Sequence, residues 1–364
     1  MKVYILSFSL LFLILGLAAQ GITNTPYEFD DDTPLWEVMT KLGKIRPNGV
    51  DNQRQHSVDK GRELVNFGYT ADFKDRKTAK IGNLPCAVCH SLMPEHDDLS
   101  IIDPQKRLMY ADSFQLPFLP GSPLYGMVNR VYFFNGDYQT TYKNEEFIDL
   151  VKKGHSDLRT AIQACNSIFA DGRTLEEWEI ESILAYLWTL QIRMKDLKFE
   201  DQDLKDIQFA LDNNTGNAKA VNLLRRAYVE VYPANLSVPQ PIAERKKTSP
   251  IINNFANGKR VYERSCLHCH ADKKHASPRF DLNQSTFQFL KKHFDDTTSR
   301  YSIYEALRYL PTPSRAHRNS RSPHFSKQRL ADQQIQDLRF FIIQMAQFGD
   351  EAYEYYKNQR IKAN

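Results

Sequence analysis

Two five-residue runs constrain this chain more than anything else in it: Cys86-Ala87-Val88-Cys89-His90 and Cys266-Leu267-His268-Cys269-His270. Two thiols separated by two residues fall on one side of a helical turn, and the histidine follows directly. That spacing lets both sulfurs add to the vinyl groups of one haem while the histidine binds iron from below. A C-x-x-C pair also serves dithiol redox chemistry and zinc. A redox dithiol opens a helix after a strand, and no strand pattern precedes either run. Cys266, His268, Cys269 and His270 are too crowded for one zinc tetrahedron, and the first run has no such cluster. The expected cofactors are therefore two covalently bound haem c groups with their iron. Cys86, Cys89, His90, Cys266, Cys269 and His270 are the attachment and near-side residues. Four of the five cysteines are then used, which replaces a disulfide scaffold by haem attachment and leaves Cys165 over.

The surroundings of the two runs agree with export. Lys2 is followed by an uncharged apolar stretch over residues 3–19 and by small residues at Ala18 and Ala19, the pattern of a secretory signal. Residues 1–20 are read as a signal peptide and the protein as periplasmic. Membrane contact is expected only through that segment if it stays uncleaved. No other stretch is apolar enough to span a bilayer.

A chain of 364 residues is too long for one small haem domain and suits two. Residues 57–67 form a helical pattern ahead of the first run. A second helix is expected over 174–190, where Ile180, Ile183, Leu184 and Leu187 make one apolar face and Thr174 and Glu177 have capping-box spacing. Residues 251–263 form a helix running into Cys266. Ile335, Leu338, Ile342 and Met345 make the apolar face of a closing helix over 332–345. Helix, C-x-x-C-H, loops and closing helix thus occur twice, as a tandem duplication would give. The expected fold is all-α: a first cytochrome c-type domain over 21–200, a partly helical linker over 201–248 with one helix at 218–231, and a second such domain over 249–364.

The far-side iron ligands are less determined. After Cys266 the one methionine is Met345, which lies on the closing helix's apolar face, so packing is its expected role. The loop ahead of that helix offers His324, the first choice, then His317, with His275 still open. For the first haem the candidates are Cys165, His155, Met93, Met109, Met127 and Met194.

The run Ile81-Gly82-Asn83-Leu84-Pro85 into Cys86-Ala87-Val88-Cys89-His90 resembles the approach to the haem in dihaem thiosulfate dehydrogenases and the related SoxA-type sulfur-oxidising cytochromes. The segment Ala161-Ile162-Gln163-Ala164-Cys165, followed by Gly172-Arg173-Thr174-Leu175 and Trp178-Glu179, is similar to the stretch that carries that family's cysteine ligand. The resemblance implies two all-helical cytochrome c domains, Cys165 as far-side ligand of the first haem, and Cys165 as the catalytic residue where a sulfur compound would react. Arg159 and Arg173 are the nearest cations in sequence that could hold such an anion. Asn166-Ser167-Ile168 stand where that family has an arginine, and Ser322 stands at its usual second-haem methionine.

Two functional readings follow. One is thiosulfate or related sulfur oxidation at the first haem. The other is pure electron transfer, as a carrier or as a haem subunit of a respiratory complex, with cytochromes or a terminal oxidase as redox partner proteins. No nucleic-acid partner is expected. Residues 244–329 hold 18 Lys/Arg against 7 Asp/Glu, and none of the acidic residues lies between Arg308 and Arg329, so a basic docking face is expected there.

Overall fold

The computed structural model describes residues 28–78, 80–134, 145–234, 253–271, 275, 278–294, 302–308 and 325–362. The signal segment and both His317 and His324 lie outside these. The described chain is helical, as expected. In order the helices are α1 (Leu35–Lys41), α2 (Val58–Phe67), α3 (Cys86–Cys89), α4 (Pro104–Ser113), α5 (Glu145–Lys153), α6 (Leu158–Ile168), α7 (Glu177–Thr189), α8 (Asp201–Asn213), α9 (Asn217–Arg226), α10 (Phe255–Val261), α11 (Leu267–His270), α12 (Gln284–Phe294), α13 (Ile303–Arg308), α14 (Asp332–Phe348) and α15 (Asp350–Lys362). A five-residue π-helical stretch, Tyr262–Cys266, joins α10 to α11. One short parallel pairing links β1 (Tyr132–Phe134) to β2 (Val231–Ala234).

The helices that flank the two C-x-x-C-H runs meet by the same device. Ser57 caps α2, its hydroxyl accepting the Lys60 N–H at 3.4 Å, and Gly68 ends the helix at φ +75°. The Ser57 N–H donates to Ser182 Oγ on α7 at 3.1 Å. One turn later Gly61 presses on the same residue: a Cβ there would lie 1.8 Å from the Ser182 carbonyl oxygen. In the second half Asn254 caps α10 through the Asn257 N–H at 3.0 Å, and its own N–H donates to Asp337 Oδ1 on α14 at 2.8 Å. One turn later a Cβ at Gly258 would lie 2.0 Å from the Asp337 carbonyl oxygen. Only glycine permits two helix backbones to approach so closely.

The expected apolar faces are the buried ones. Ile183, Leu184 and Leu187 on α7 are at most 2% exposed, and Ile335, Leu338, Ile342 and Met345 on α14 at most 4%. The start of α7 differs from expectation. The capping interaction comes from Glu179, whose carboxylate accepts the Glu176 N–H at 2.8 Å, so the helix begins at Glu177 and not at Thr174.

The buried apolar residues form two clusters that do not follow the sequence boundaries. The stretch from residue 201 to 228, read as linker, supplies Ile207, Ala210, Val221 and Leu224 to the first cluster. It contains two helices where one was expected, because α8 and α9 fold back on each other and against that core. Helix α1 also joins it through Leu35, Val38 and Met39, an element the sequence reading lacked. Conversely α4, far ahead of residue 249, packs in the second cluster through Leu108 and Ala111, followed by Phe118. Gln105 and Asn257 exchange side-chain hydrogen bonds at 2.8 and 3.0 Å, and Asp112 pairs with Arg260 at 2.8 Å and Arg264 at 3.1 Å.

Candidate haem centres

In the first run, Pro85 precedes the single turn of α3, which sets Cys86 and Cys89 at i and i+3 on one side and delivers His90 at its end. The His90 Nδ1 lies 2.6 Å from the Ser122 carbonyl oxygen. A carbonyl only accepts, so Nδ1 carries the proton and Nε2 keeps its lone pair. The loop that supplies this carbonyl is tied back by the Gly121 N–H to the Cys89 carbonyl at 2.8 Å and by the Leu124 N–H to the Ser91 carbonyl at 2.7 Å. Gly121 has to be glycine here, since a Cβ would fall 2.5 Å from His90 Nδ1. Burial lowers the His90 pKa, which keeps the imidazole neutral.

Across from the free nitrogen stands the leftover cysteine. Cys165 Sγ, on α6, lies 3.7 Å from His90 Nε2. On opposite sides of one iron these two donors would stand roughly 4.3 Å apart, so the pair would have to open slightly to hold it. Burial pushes the Cys165 thiol up to about 12 and Cys86 to about 11, so as free thiols both keep their protons. The other first-haem candidates are placed elsewhere. His155 stacks on Tyr132, with centroids 4.5 Å apart, and its Nδ1 hydrogen-bonds to the Phe134 carbonyl. Met93 and Met109 are exposed, Met194 is in the first core, and Met127 Sδ faces Arg130 at 3.6 Å.

The second run repeats the near-side geometry. His270 Nδ1 is 2.8 Å from the Pro278 carbonyl oxygen, which again frees Nε2. Phe280 stacks on the ring at 4.0 Å with planes 10° apart, and its N–H donates to the His270 carbonyl at 3.0 Å. Burial lowers the His270 pKa and pushes Cys266 up to about 12 and Cys269 to about 11. On the far side, Met345 is wholly buried in the second cluster, in the packing role expected of it. His275 is exposed, its N–H bonded to the Cys269 carbonyl at 3.1 Å and its ring 6.0 Å from that of His268.

The cations expected to hold a sulfur anion are engaged otherwise. Arg159 forks onto Glu181, at 2.5 and 2.9 Å, and Arg173 onto Glu179, at 2.5 and 2.8 Å, and both carboxylates are wholly buried. Asn166, where the resembled family has arginine, serves the fold: its Nδ2 donates to the Ile81 carbonyl at 2.9 Å and the Arg173 carbonyl at 2.8 Å. The two ends of the expected basic face are also internal. Arg308 is 4% exposed and bonded to the Phe325 and Leu330 carbonyls, and Arg329 is 3% exposed. Residues 309–324 between them lie outside the described chain.

Sequence reasoning missed a buried charge cluster beside the first site. Glu95 pairs with Arg329 and, at 3.5 Å, with Arg107; Arg130 lies close enough for its charge to act on Glu95. Desolvation pulls Arg107 down to about 9 and Arg130 to about 10. Among the described residues no group of three or more His, Cys, Asp or Glu converges to hold a bare metal ion. A haem iron would need only two protein donors, and His90 with Cys165 could supply them. No protein family's profile matches the chain, and no characterised protein or solved structure is significantly similar to it.

Proposed function

We propose that this chain is an exported, periplasmic dihaem c-type cytochrome that transfers electrons to and from partner proteins. One haem is joined to Cys86 and Cys89 and bound by His90 and Cys165; the other is joined to Cys266 and Cys269 and bound by His270. The observation that carries the reading is the Cys165 sulfur facing the unprotonated Nε2 of His90 at 3.7 Å, beside a C-x-x-C pair. The repeated carbonyl lock on Nδ1 of His90 and His270 supports it. So does the shared helix crossing at Gly61 and Gly258, which favours two tandem haem domains derived from one.

When bound, each haem supplies a one-electron couple. The chain's own contribution is to orient the imidazoles, to keep their Nε2 lone pairs available and to hold the cysteines half-buried beside them. A thiolate at Cys165 is anionic and favours the ferric state, which lowers the first centre's potential. His324 and His317 stay the far-side candidates for the second haem.

A second reading, oxidation of thiosulfate or a related sulfur compound at Cys165, is favoured by the placement of that thiol beside His90 Nε2. It draws no support from Arg159 or Arg173, whose guanidinium groups are held by Glu181 and Glu179. The test is direct. Acid–acetone extraction of the purified protein leaves two haems per chain on the polypeptide. Release of the colour, or a single haem, removes the proposal. Adding thiosulfate to the oxidised holoprotein separates the two readings: reduction of the haem bands supports the enzyme, and unchanged bands support the carrier.

A further inference from the structure

We propose that Arg329, contributed by the second half of the chain, is a positioning residue of the first haem centre, holding the strap that orients His90. The proposal rests on the dihaem reading above and deepens it.

The strap is Phe118-Leu119-Pro120-Gly121-Ser122. At one end the Phe118 N–H donates to the Arg264 carbonyl at 2.9 Å, and Ser265 Oγ donates to the Phe118 carbonyl at 2.8 Å. Arg264 and Ser265 immediately precede Cys266. At the other end lie the Gly121 and Ser122 contacts with Cys89 and His90. Five residues thus run from the helix that delivers one haem-attaching cysteine to the imidazole of the other site.

Arg329 grips the middle. Its Nε and Nη2 donate to the Leu119 carbonyl at 3.2 and 2.7 Å, and its Nη1 donates to Glu95 Oε2 at 2.5 Å. Glu95 lies five residues beyond His90, and Leu119 three before Ser122. One guanidinium therefore ties both chain segments that frame the histidine. Arg107 supports the arrangement from α4, approaching Glu95 and donating to the Gln328 carbonyl beside Arg329. The planar fork of arginine serves two acceptors at once, which a lysine ammonium does not reproduce. The charges of Arg329, Arg130 and Glu95 all act on His90. A change in this cluster is therefore felt at the first centre as a change in potential, besides any loosening of the strap.

The experiment uses the full-length holoprotein, with the two haems resolved by spectrum during a redox titration. Arg329→Gln leaves a buried carboxylate short of its cation, favours the ferric state and lowers the first haem's potential. Glu95→Gln removes the anion and raises it. The expected size is about a tenfold change in the reduction equilibrium, 59 mV for one electron. Arg329→Lys, keeping the charge but not the fork, falls between Arg329→Gln and the parent. The second haem stays at its parent value. Shifts of the same sign in Arg329→Gln and Glu95→Gln, equal shifts at both haems, or no shift would overturn the proposal. If Arg329→Gln yields no holoprotein, Glu95→Gln decides alone: a rise at the first haem supports the proposal and its absence overturns it. A parent protein lacking two covalent haems is a different failure, that of the dihaem reading itself.

Discussion

The most informative residue is the cysteine that the two C-x-x-C-H runs do not use. Cys165 was visible in the sequence as a thiol left over, but so were His155 and four methionines as its rivals; only the fold brings one of them, Cys165 on α6, to His90. Cys165→Ala is expected to abolish the narrow low-spin paramagnetic resonance signal of a thiolate-bound ferric haem and to raise the first haem's potential. An unchanged spectrum after the substitution would reduce Cys165 to a packing residue. The near-side lock on His90 had no signature in the sequence, because its acceptor is the backbone carbonyl of Ser122 and any residue type provides one. Arg159 and Arg173 were legible as cations, but their pairing was not, since nothing in the sequence marks Glu181 and Glu179 on α7 as their partners. That pairing has a consequence for acid stability. Burial pushes the Glu181 carboxyl up, but the Arg159 fork and the Asp51 N–H outweigh it and hold the pKa below the ordinary 4.5. Folding is thus favoured above the unfolded-state value, and this contribution is lost as pH falls through the lowered one. Glu181→Gln is expected to flatten the acid limb of a stability–pH profile below about pH 4.5; an identical acid limb would show that the pair contributes nothing.

At the scale of elements, the proposed repeat was legible as hydrophobic faces and not as the contacts that favour it. The apolar positions of α7 and α14 correspond, Ile180 with Ile335, Ile183 with Leu338 and Leu187 with Ile342, and the sequence showed these stripes. It did not show that Ser57, Gly61 and Ser182 correspond to Asn254, Gly258 and Asp337, because the shared feature is a backbone approach and the side chains around it differ. Both glycines sit inside helices, where glycine weakens the helix by about 1 kcal/mol relative to alanine. At these two sites alanine is worse. Gly61→Ala and Gly258→Ala each force a methyl into a carbonyl on the crossing helix, so each is expected to cost about 3 kcal/mol or more in chemical denaturation. A gain in stability from either would mean that the helices do not cross as closely as this. Helices α1 and α8 escaped the sequence reading for different reasons. The first follows an acidic lead-in and is only seven residues long; the second buries just Ile207 and Ala210 along thirteen residues, too few for a periodic signal.

At the scale of the whole molecule, the order of elements along the chain suggested two consecutive units, yet the packing exchanges material between them. Helix α4 and Phe118 precede residue 249, the expected start of the second unit, by more than a hundred residues and still belong to the second core, while α8 and α9 follow the first closing helix and belong to the first. Sequence order could not reveal this, because an amphipathic helix states that it needs a partner and not which one. The exchange predicts how the protein behaves when cut. A protease site inserted near residue 242 severs the connection and leaves α4 on the first fragment. Separating the fragments would then expose Leu108 and Phe118, at about 1.5–3 kcal/mol each. It would also part Asp112 from Arg260 and Arg264, and Glu95 from Arg329. In the last of these pairs Arg329 is buried and Glu95 only 11% exposed, and stranding such a charge costs about 3–5 kcal/mol. The cut removes only the high effective concentration that the connection provides. The nicked holoprotein is therefore expected to elute as one particle under native conditions and to resolve on a denaturing gel into two pieces, each stained for one haem. Two coloured fragments that part on a sizing column at moderate salt would mean that the halves are independent domains and that the strap from Phe118 to Ser122 does not bind them together.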